Sequence, residues 1–225
     1  MSEVSVFEHV VRTRRVTRQF LPDPVALADI EAVLRDARQA PSNCNTQPWL
    51  VHIVSGRKRE ELAAALLAAE RQEQFSPDFF FDMAAFPGVY AERAQASGKA
   101  HYETRQVAWD DKAGRREASS RNLDFFGAPH VALLFMPVIG DSVRTAGDLG
   151  MYGQTFLLSL AARGLAGVPQ TYVAMFAQTL RSVLRISDDF KLLFGISFGY
   201  GDPTAVVNGL DVGRADLSQN VVFHQ

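Results

Sequence analysis

Apolar residues recur along the chain at two spacings, and the spacing sorts it into helices and strands. Val6, Phe7, Val10 and Val11 share one side of a helix predicted over residues 3–13. Leu27, Ile30, Val33, Leu34 and Ala37 repeat at helical intervals after Asp23-Pro24, which fits a cap and first helical position, so a helix is predicted from 24 to about 39. Residues 49–55 read as a strand, 58–70 as a helix and 130–137 as a strand of the buried type. The most apolar helix is predicted over 148–163, with Leu149, Phe156, Leu157 and Leu160 inward and Gly164 as its stop. A helix over 174–184 and a last strand over 191–200 complete the series. The tail, 217–225, is apolar in patches without an end signal, a pattern that suits packing on a partner chain.

Residues 71–124 break the pattern. They mix Phe79, Phe80, Phe81 and other aromatics with many charges, and carry Pro77, Pro87 and Gly98. They read as an insertion, partly helical, that rests on something else rather than forming a core. Few strands and many helices, not in strict alternation, fit a mixed sheet wrapped by helices (α+β) better than a doubly wound parallel fold.

The 225 residues suit one domain or two small ones, and 47% hydrophobic with 21% charged is ordinary for a globular chain. A net charge of -2 exerts no bulk pull toward nucleic acid or an anionic membrane, so neither is expected as a partner. One cysteine, Cys44, leaves no internal disulfide framework and fits a reducing compartment. Residues 1–7 lack a signal-peptide pattern, and the longest strongly apolar run, 131–138, is too short to span a bilayer. A cytoplasmic protein is the expectation.

Several motifs fail. Gly195-Ile196-Ser197-Phe198-Gly199 matches the nucleophile-elbow pattern, with Asp202 or Asp211 and His224 in hydrolase order. The elbow needs a helix directly after the serine, and here a turn-forming Tyr200-Gly201-Asp202-Pro203 follows a strand pattern. Neither a phosphate-binding P-loop nor a dinucleotide-binding glycine fingerprint occurs. His9, His52, His101, His130 and His224 are scattered, so no metal site is expected. Cys44 has no obvious base near it in sequence and reads as a passive thiol.

Two motifs hold. The loop 41–49, Pro-Ser-Asn-Cys-Asn-Thr-Gln-Pro-Trp, packs Ser42, Asn43, Asn45 and Gln47 between two prolines, directly before an apolar run. Such side chains donate and accept together and suit a flat polar molecule, while a plain helix-to-strand turn is the alternative. Arg14, Arg15 and Arg18 sit where a helix gives way to a loop. Guanidiniums suit a phosphate, and the alternative is a solvated basic face. Arg214 can join them only through folding.

Together these residues carry a resemblance. Arg-Arg-x-x-Arg-x-Phe at 14–20, followed by Ala-Pro-Ser-x-x-Asn-x-Gln-Pro-Trp at 40–49, resembles the FMN-dependent nitroreductase family, in its oxygen-insensitive, nitroaromatic- and nitrobenzoate-reducing subgroup. Further matches occur in order at 121–129, 148–152, 164–170, 198–203 and 213–214, covering nearly the whole chain except 71–120. The resemblance implies one domain over 1–225 with a mostly antiparallel central sheet, an intertwined homodimer, and FMN at the subunit interface. It implies that Arg14 and Arg214 hold the FMN phosphate, with Arg15 beside them and Arg18 toward the ribityl chain and pyrimidine edge. Pro41, Ser42, Asn43 and Asn45 would come from the other subunit. Pro169, Gln170 and Thr171 would pass over the ring, with a backbone N–H directed at flavin N5, and Asn122 would be a further ring contact. Val16 departs from the serine of many relatives, which removes one hydroxyl from the flavin site.

The implied activity is ping-pong transfer of electrons from NAD(P)H through flavin N5 to a small nitroaromatic acceptor, giving nitroso, hydroxylamine or amine products. No protein residue is then catalytic in its own right. The segment 71–124 becomes a lid whose Phe79, Phe80, Phe81, Tyr90, Tyr102 and Trp109 can stack on flat acceptors. The alternatives are the same fold acting on quinones or halogenated phenols, or a flavin-storing protein without turnover.

Overall fold

The computed structural model describes residues 2–225. Its elements in chain order are α1 (Glu3–Thr13), α2 (Leu27–Ala37), β1 (Leu50–Ser55), α3 (Gly56–Arg71), α4 (Val89–Glu103), α5 (Lys112–Ser120), β2 (His130–Pro137), α6 (Val143–Ala162), β3 (Ala166–Gln170), α7 (Ala177–Leu184) and β4 (Phe190–Gly199). The four strands form one sheet in the order β1-β2-β4-β3, and every neighbouring pair is antiparallel. The expected α+β class, a mostly antiparallel sheet wrapped by helices, is what the chain forms.

The unbroken apolar run of β2 has a simple cause. Val131, Leu133 and Phe135 enter one core cluster, while Ala132, Leu134 and Met136 enter the other. Alternation along the strand sorts them to opposite faces, and helices cover both. The first cluster is completed by Leu62 and Leu66 of α3 and Leu180 of α7. The second is completed by Ile30 and Val33 of α2 and Phe156 and Leu160 of α6. A one-residue bulge in β4 adjusts its faces: Leu134 pairs with Phe194 but Phe135 with Leu192. Leu192 therefore enters the first cluster, while Leu193, Phe194, Ile196 and Phe198 turn to the second.

Three expectations need correcting. The helix predicted from 24 starts at Leu27, with Ala26 extended at ψ 139° and no side-chain cap. Val25 is buried and donates its N–H to His130 Nε2 at 2.9 Å, and that tertiary bond holds the chain straight where local signals favour a helix. The helix predicted from 148 starts at Val143, where the Asp141 carboxylate accepts the Val143 N–H at 3.1 Å. The helix predicted from 174 starts at Ala177, preceded by a 3₁₀ stretch over Tyr172–Phe176. The short strand β3 lies in the stretch that reads only as a motif in the sequence. It is an edge strand, the one place where Pro169 costs no ladder bond.

Residues 71–124 form α4 and α5 with connecting turns. α4 buries none of its residues and α5 only Ala118, while Leu123 at the segment's end is wholly buried in the first core cluster. Ser197 is wholly buried inside β4 and donates to Gln170 Oε1, so the nucleophile-elbow match is a strand interior.

Candidate functional site

The basic segment leaves α1 at Arg14 and is laid along the sheet's free edge. Val16 bridges Gly167 of β3, Thr17 N–H donates to Gly167 O at 3.4 Å, and Leu21 N–H donates to Tyr200 O at 2.9 Å. Asn208 clamps the segment. Its Oδ1 accepts the Arg18 N–H at 2.8 Å, and its Nδ2 donates to Gln19 O at 2.8 Å and Asp202 O at 2.9 Å. Downstream, Gly213 turns with φ 63°, a conformation side chains resist, and brings Arg214 round.

The result is a cavity of about 520 Å³ lined by Arg14, Arg15, Arg18 and Arg214, with Val16 also on its wall. The structure thus unites these four with Arg12, which pairs with Glu8 at 3.3 Å, and brings together Arg14 and Arg214, 200 residues apart. Among the described residues none of the four is ion-paired to a carboxylate. Asp211, on the same lining, accepts the Gly213 N–H at 2.9 Å. Burial, and then the neighbouring Arg214, pull the Arg14 pKa below its ordinary value; burial and then Arg105 do the same to Arg18. Like charges held together without a counter-ion favour an incoming anion, and a phosphate ester matches the guanidinium geometry.

The loop 41–48 lies outside that cavity's lining. Its backbone is tied largely to itself: Asn45 N–H donates to Ser42 O at 3.0 Å, Thr46 N–H to Asn43 O at 3.1 Å and Gln47 N–H to Ser42 Oγ at 2.9 Å. Cys44, Asn45 and Gln47 hold φ of 52°, 56° and 49°, which non-glycine residues rarely adopt. Two residues one turn apart on α6 anchor the loop. Asp148 Oδ1 accepts the Asn43 N–H at 3.0 Å, and Tyr152 packs on Trp49 at 5.0 Å between ring centroids. The side chains of Asn43 and Asn45 are left on the surface with Pro41, and Ser42 is half-buried.

At the end of β3, Pro169 and Thr171 are exposed but Gln170 is buried. Its side chain accepts from Ser197 and donates to Asn122 O at 2.9 Å, and Asn122 Nδ2 donates to Ser119 O at 2.9 Å. Gln170 and Asn122 therefore serve a polar chain that ties the end of α5 to the sheet. The six aromatics expected as a lid divide. Phe79, Phe80 and Phe81 line a cavity of about 280 Å³ together with Thr171. Tyr102 and Trp109 pair at 6.1 Å between α4 and α5, where the Arg115 guanidinium lies 5.0 Å from the Trp109 ring and 5.9 Å from the Tyr102 ring. Tyr90 is exposed and lines neither cavity.

Sequence reasoning missed four supporting residues. Asp148 and Tyr152 carry a readable signal, their i, i+4 spacing on one helix face. Asn208 and His101 carry none. Burial, then Arg18, then Arg105 depress His101 to a pKa of about 4, so it stands neutral behind the arginine wall. Among the described residues no group of metal-ligating side chains gathers.

The nitroreductase family model matches residues 11–200, which spans both the arginine segment and the sheet. Nitroreductase NfnB of Mycolicibacterium smegmatis is 42% identical over 216 residues, covering 96% of this chain and 92% of its own. The 4-nitrobenzoate reductase of Pseudomonas putida is 36% identical over 214 residues, covering 92% of this chain and 91% of its own. The crystal structure of the FMN-dependent nitroreductase NfnB from Mycobacterium smegmatis in complex with NADPH superposes with a TM-score of 0.96 at 40% identity, over 100% of both chains. The strand order, the arginine-lined cavity and these likenesses lead to one conclusion: the chain belongs to the nitroreductase family.

Proposed function

We propose that this protein is an FMN-dependent oxidoreductase that passes electrons from NAD(P)H to nitroaromatic compounds in a ping-pong cycle. The observation that carries the reading is the meeting of Arg14, Arg15, Arg18 and Arg214 on one cavity wall without a carboxylate partner. That donor set fits the phosphate of FMN, and relatives at 42% and 36% identity are named a nitroreductase and a 4-nitrobenzoate reductase.

Bound FMN supplies the two-electron relay between the nicotinamide and the nitro group. The chain's own residues hold and tune it. Arg14 and Arg214 take the phosphate charge, and Arg15 adds to the same field. Arg18, its main chain fixed by Asn208, is assigned to the pyrimidine edge, where a cation stabilises added negative charge. Pro41, Ser42, Asn43 and Asn45 are assigned to the flavin of a partner subunit, with Pro169, the Gln170 main chain and Thr171 along the ring and Asn122 behind them. No protein nucleophile enters, in keeping with Ser197 being buried inside a strand.

A homodimer completes the reading. Its support is apolar surface without cover: Phe7 on α1 is 64% exposed and Phe223 in the tail 77%, and α1 buries none of its residues within the chain. The chain acts as one domain over 1–225, with 71–124 as its lid. No described helix is long and apolar enough to cross a membrane, and the lone cysteine suits the cytoplasm.

The test is an absorbance spectrum of the purified protein, then anaerobic titration with NADPH and NADH. A flavin spectrum that bleaches with nicotinamide and returns with a nitroarene supports the reading. A protein that stays colourless with added FMN sinks it. Turnover of a quinone or halophenol without turnover of a nitroarene would move the acceptor class while keeping the flavin.

A further inference from the structure

Asp78 immediately precedes the Phe79–Phe81 run and is buried in the company of Arg181 of α7, with side-chain exposures of 7% and 4%. Its carboxylate accepts from Arg181 Nη2 and from the Leu192 N–H at 2.7 Å, and Lys191 Nζ lies 3.7 Å away. Arg181 is held in turn: it donates to Phe190 O at 2.9 Å and its Nε lies 3.4 Å from Asp188. The pair thus locks one backbone position, residue 78, onto the start of β4 and onto α7.

Residue 78 is where the excursion departs. Just before it, Ser76 N–H donates to Met175 O at 2.8 Å, and Asp78 itself is fixed to Leu192 and Arg181. From Phe79 to Glu92, among the described residues, the hydrogen bonds are made to chain neighbours, as in the Asp82 cap on Ala84 at 2.8 Å, and none reaches the body of the protein. Asp78 is therefore the last polar tether before the excursion leaves the body of the protein. Phe79 roots beside Leu193 and Phe194 in the second core cluster, while Phe80 is 89% exposed. The β4 bulge turns Leu193 and Phe194 to the same side, so tether and bulge together shape the 280 Å³ cavity that Thr171 also lines.

A buried ion pair is a poor source of stability compared with apolar packing, and its better-attested use is to specify one arrangement. We infer that the Asp78–Arg181 pair is the positioning device that sets the Phe79–Phe81 wall of an acceptor site, and so sets how tightly a flat aromatic acceptor is held. Neither residue touches cofactor or acceptor. The inference rests on the proposed function, in that it takes the cavity beside Thr171 as the acceptor's place.

The test uses the FMN-loaded full chain and its Asp78→Asn, Arg181→Lys and Phe80→Ala variants. Three readouts are taken: the dissociation constant of 4-nitrobenzoate with oxidised enzyme and no nicotinamide, amide hydrogen exchange across residues 79–86, and KM against kcat. In Asp78→Asn the dissociation constant and KM rise about tenfold while kcat stays within about twofold and flavin is retained, the pattern of lost uniform binding. Exchange across 79–86 quickens. Arg181→Lys keeps the charge beside Asp78 but loses the fork, and should show the same changes in smaller measure. It carries the test if Asp78→Asn does not fold. Phe80→Ala removes the wall and leaves the pair, so it should weaken binding without quickening exchange at 79. Raised Phe80→Ala dissociation with unchanged binding and exchange in the Asp78 and Arg181 variants overturns the inference and leaves the acceptor site standing. Unchanged binding in Phe80→Ala, or no binding to the parent protein, overturns the acceptor site and the inference with it.

Discussion

The arginine segment and the Pro41–Pro48 loop are the two most polar signals in the chain, and the fold treats them oppositely. The arginine segment has its backbone fastened by distant partners, Gly167, Tyr200 and Asn208, and its side chains converge on one cavity. The loop has its backbone fastened mostly by its own residues, is anchored to α6 at Asn43 and Trp49, and turns Asn43 and Asn45 to the surface. The first is a cavity wall assembled within one chain. The second is a shaped edge offered outward, at the cost of three left-handed non-glycine residues, each on the order of 1 kcal/mol or more. The contrast is what the proposed homodimer requires, with one copy supplying the wall and the other the edge.

The largest effect expected is on the wall. Arg14→Ala and Arg214→Ala should each weaken FMN by roughly 1.5–3 kcal/mol, the worth of a charge-assisted hydrogen bond, and the pair of changes should leave little flavin bound. Flavin-fluorescence titration reads this directly. Asn208→Ala makes the comparison sharper, because Asn208 only holds the Arg18, Gln19 and Asp202 backbones. A tenfold or so loss of FMN there would show that the wall depends on its fastening. Unchanged FMN affinity in Arg14→Ala would remove the phosphate from this cavity.

How much of this was legible in the sequence depends on whether local pattern or distant contact decides. β2 was legible because strict alternation and double-sided burial leave an unbroken apolar run. The arginines at 14–18 were legible as a local motif, but their meeting with Arg214 only through the family resemblance, since nothing local records a contact across the chain. The start of α2 was misread because one bond, Val25 N–H to His130, outweighs a good capping sequence. β3 went unread as a strand because five residues containing Pro169 carry too little periodicity. Gln170 entered the expected site through its main chain, and the burial of its side chain against Ser197 and Asn122 is a distant contact that no local pattern records.

A second, smaller effect tests whether wall and loop come from different copies. Asn45→Ala should weaken FMN by about 1 kcal/mol, as for one neutral hydrogen bond. The decisive arrangement mixes Arg14→Ala chains with Asn45→Ala chains. If wall and loop meet across an interface, each mixed dimer has one doubly altered site and one site of parental composition. Half of its sites should then bind FMN with parental affinity, read as a biphasic titration. If wall and loop act within one chain, every site carries one alteration and the titration shows no parental phase.

The smallest effect concerns His101, which burial first, and then Arg18 and Arg105, keep neutral. Burial, Arg18 and Arg105 lower it to about 4, against about 6.5 in an unfolded chain. The sign is set by the state that takes up the proton. Between those values the unfolded chain binds a proton that the folded chain does not, so stability present above pH ~6.5 is lost as pH falls toward ~4. A His101→Gln variant should therefore show a flatter melting temperature over that window than the parent, with both measured without FMN. The proposed flavin extends the test to the wall itself. The FMN phosphate, entering the cavity that Arg18 also lines, offsets part of the positive field on His101, so added FMN should raise its pKa and shrink the loss on the acid side. An identical acid dependence with and without FMN would separate His101 from the field of the wall.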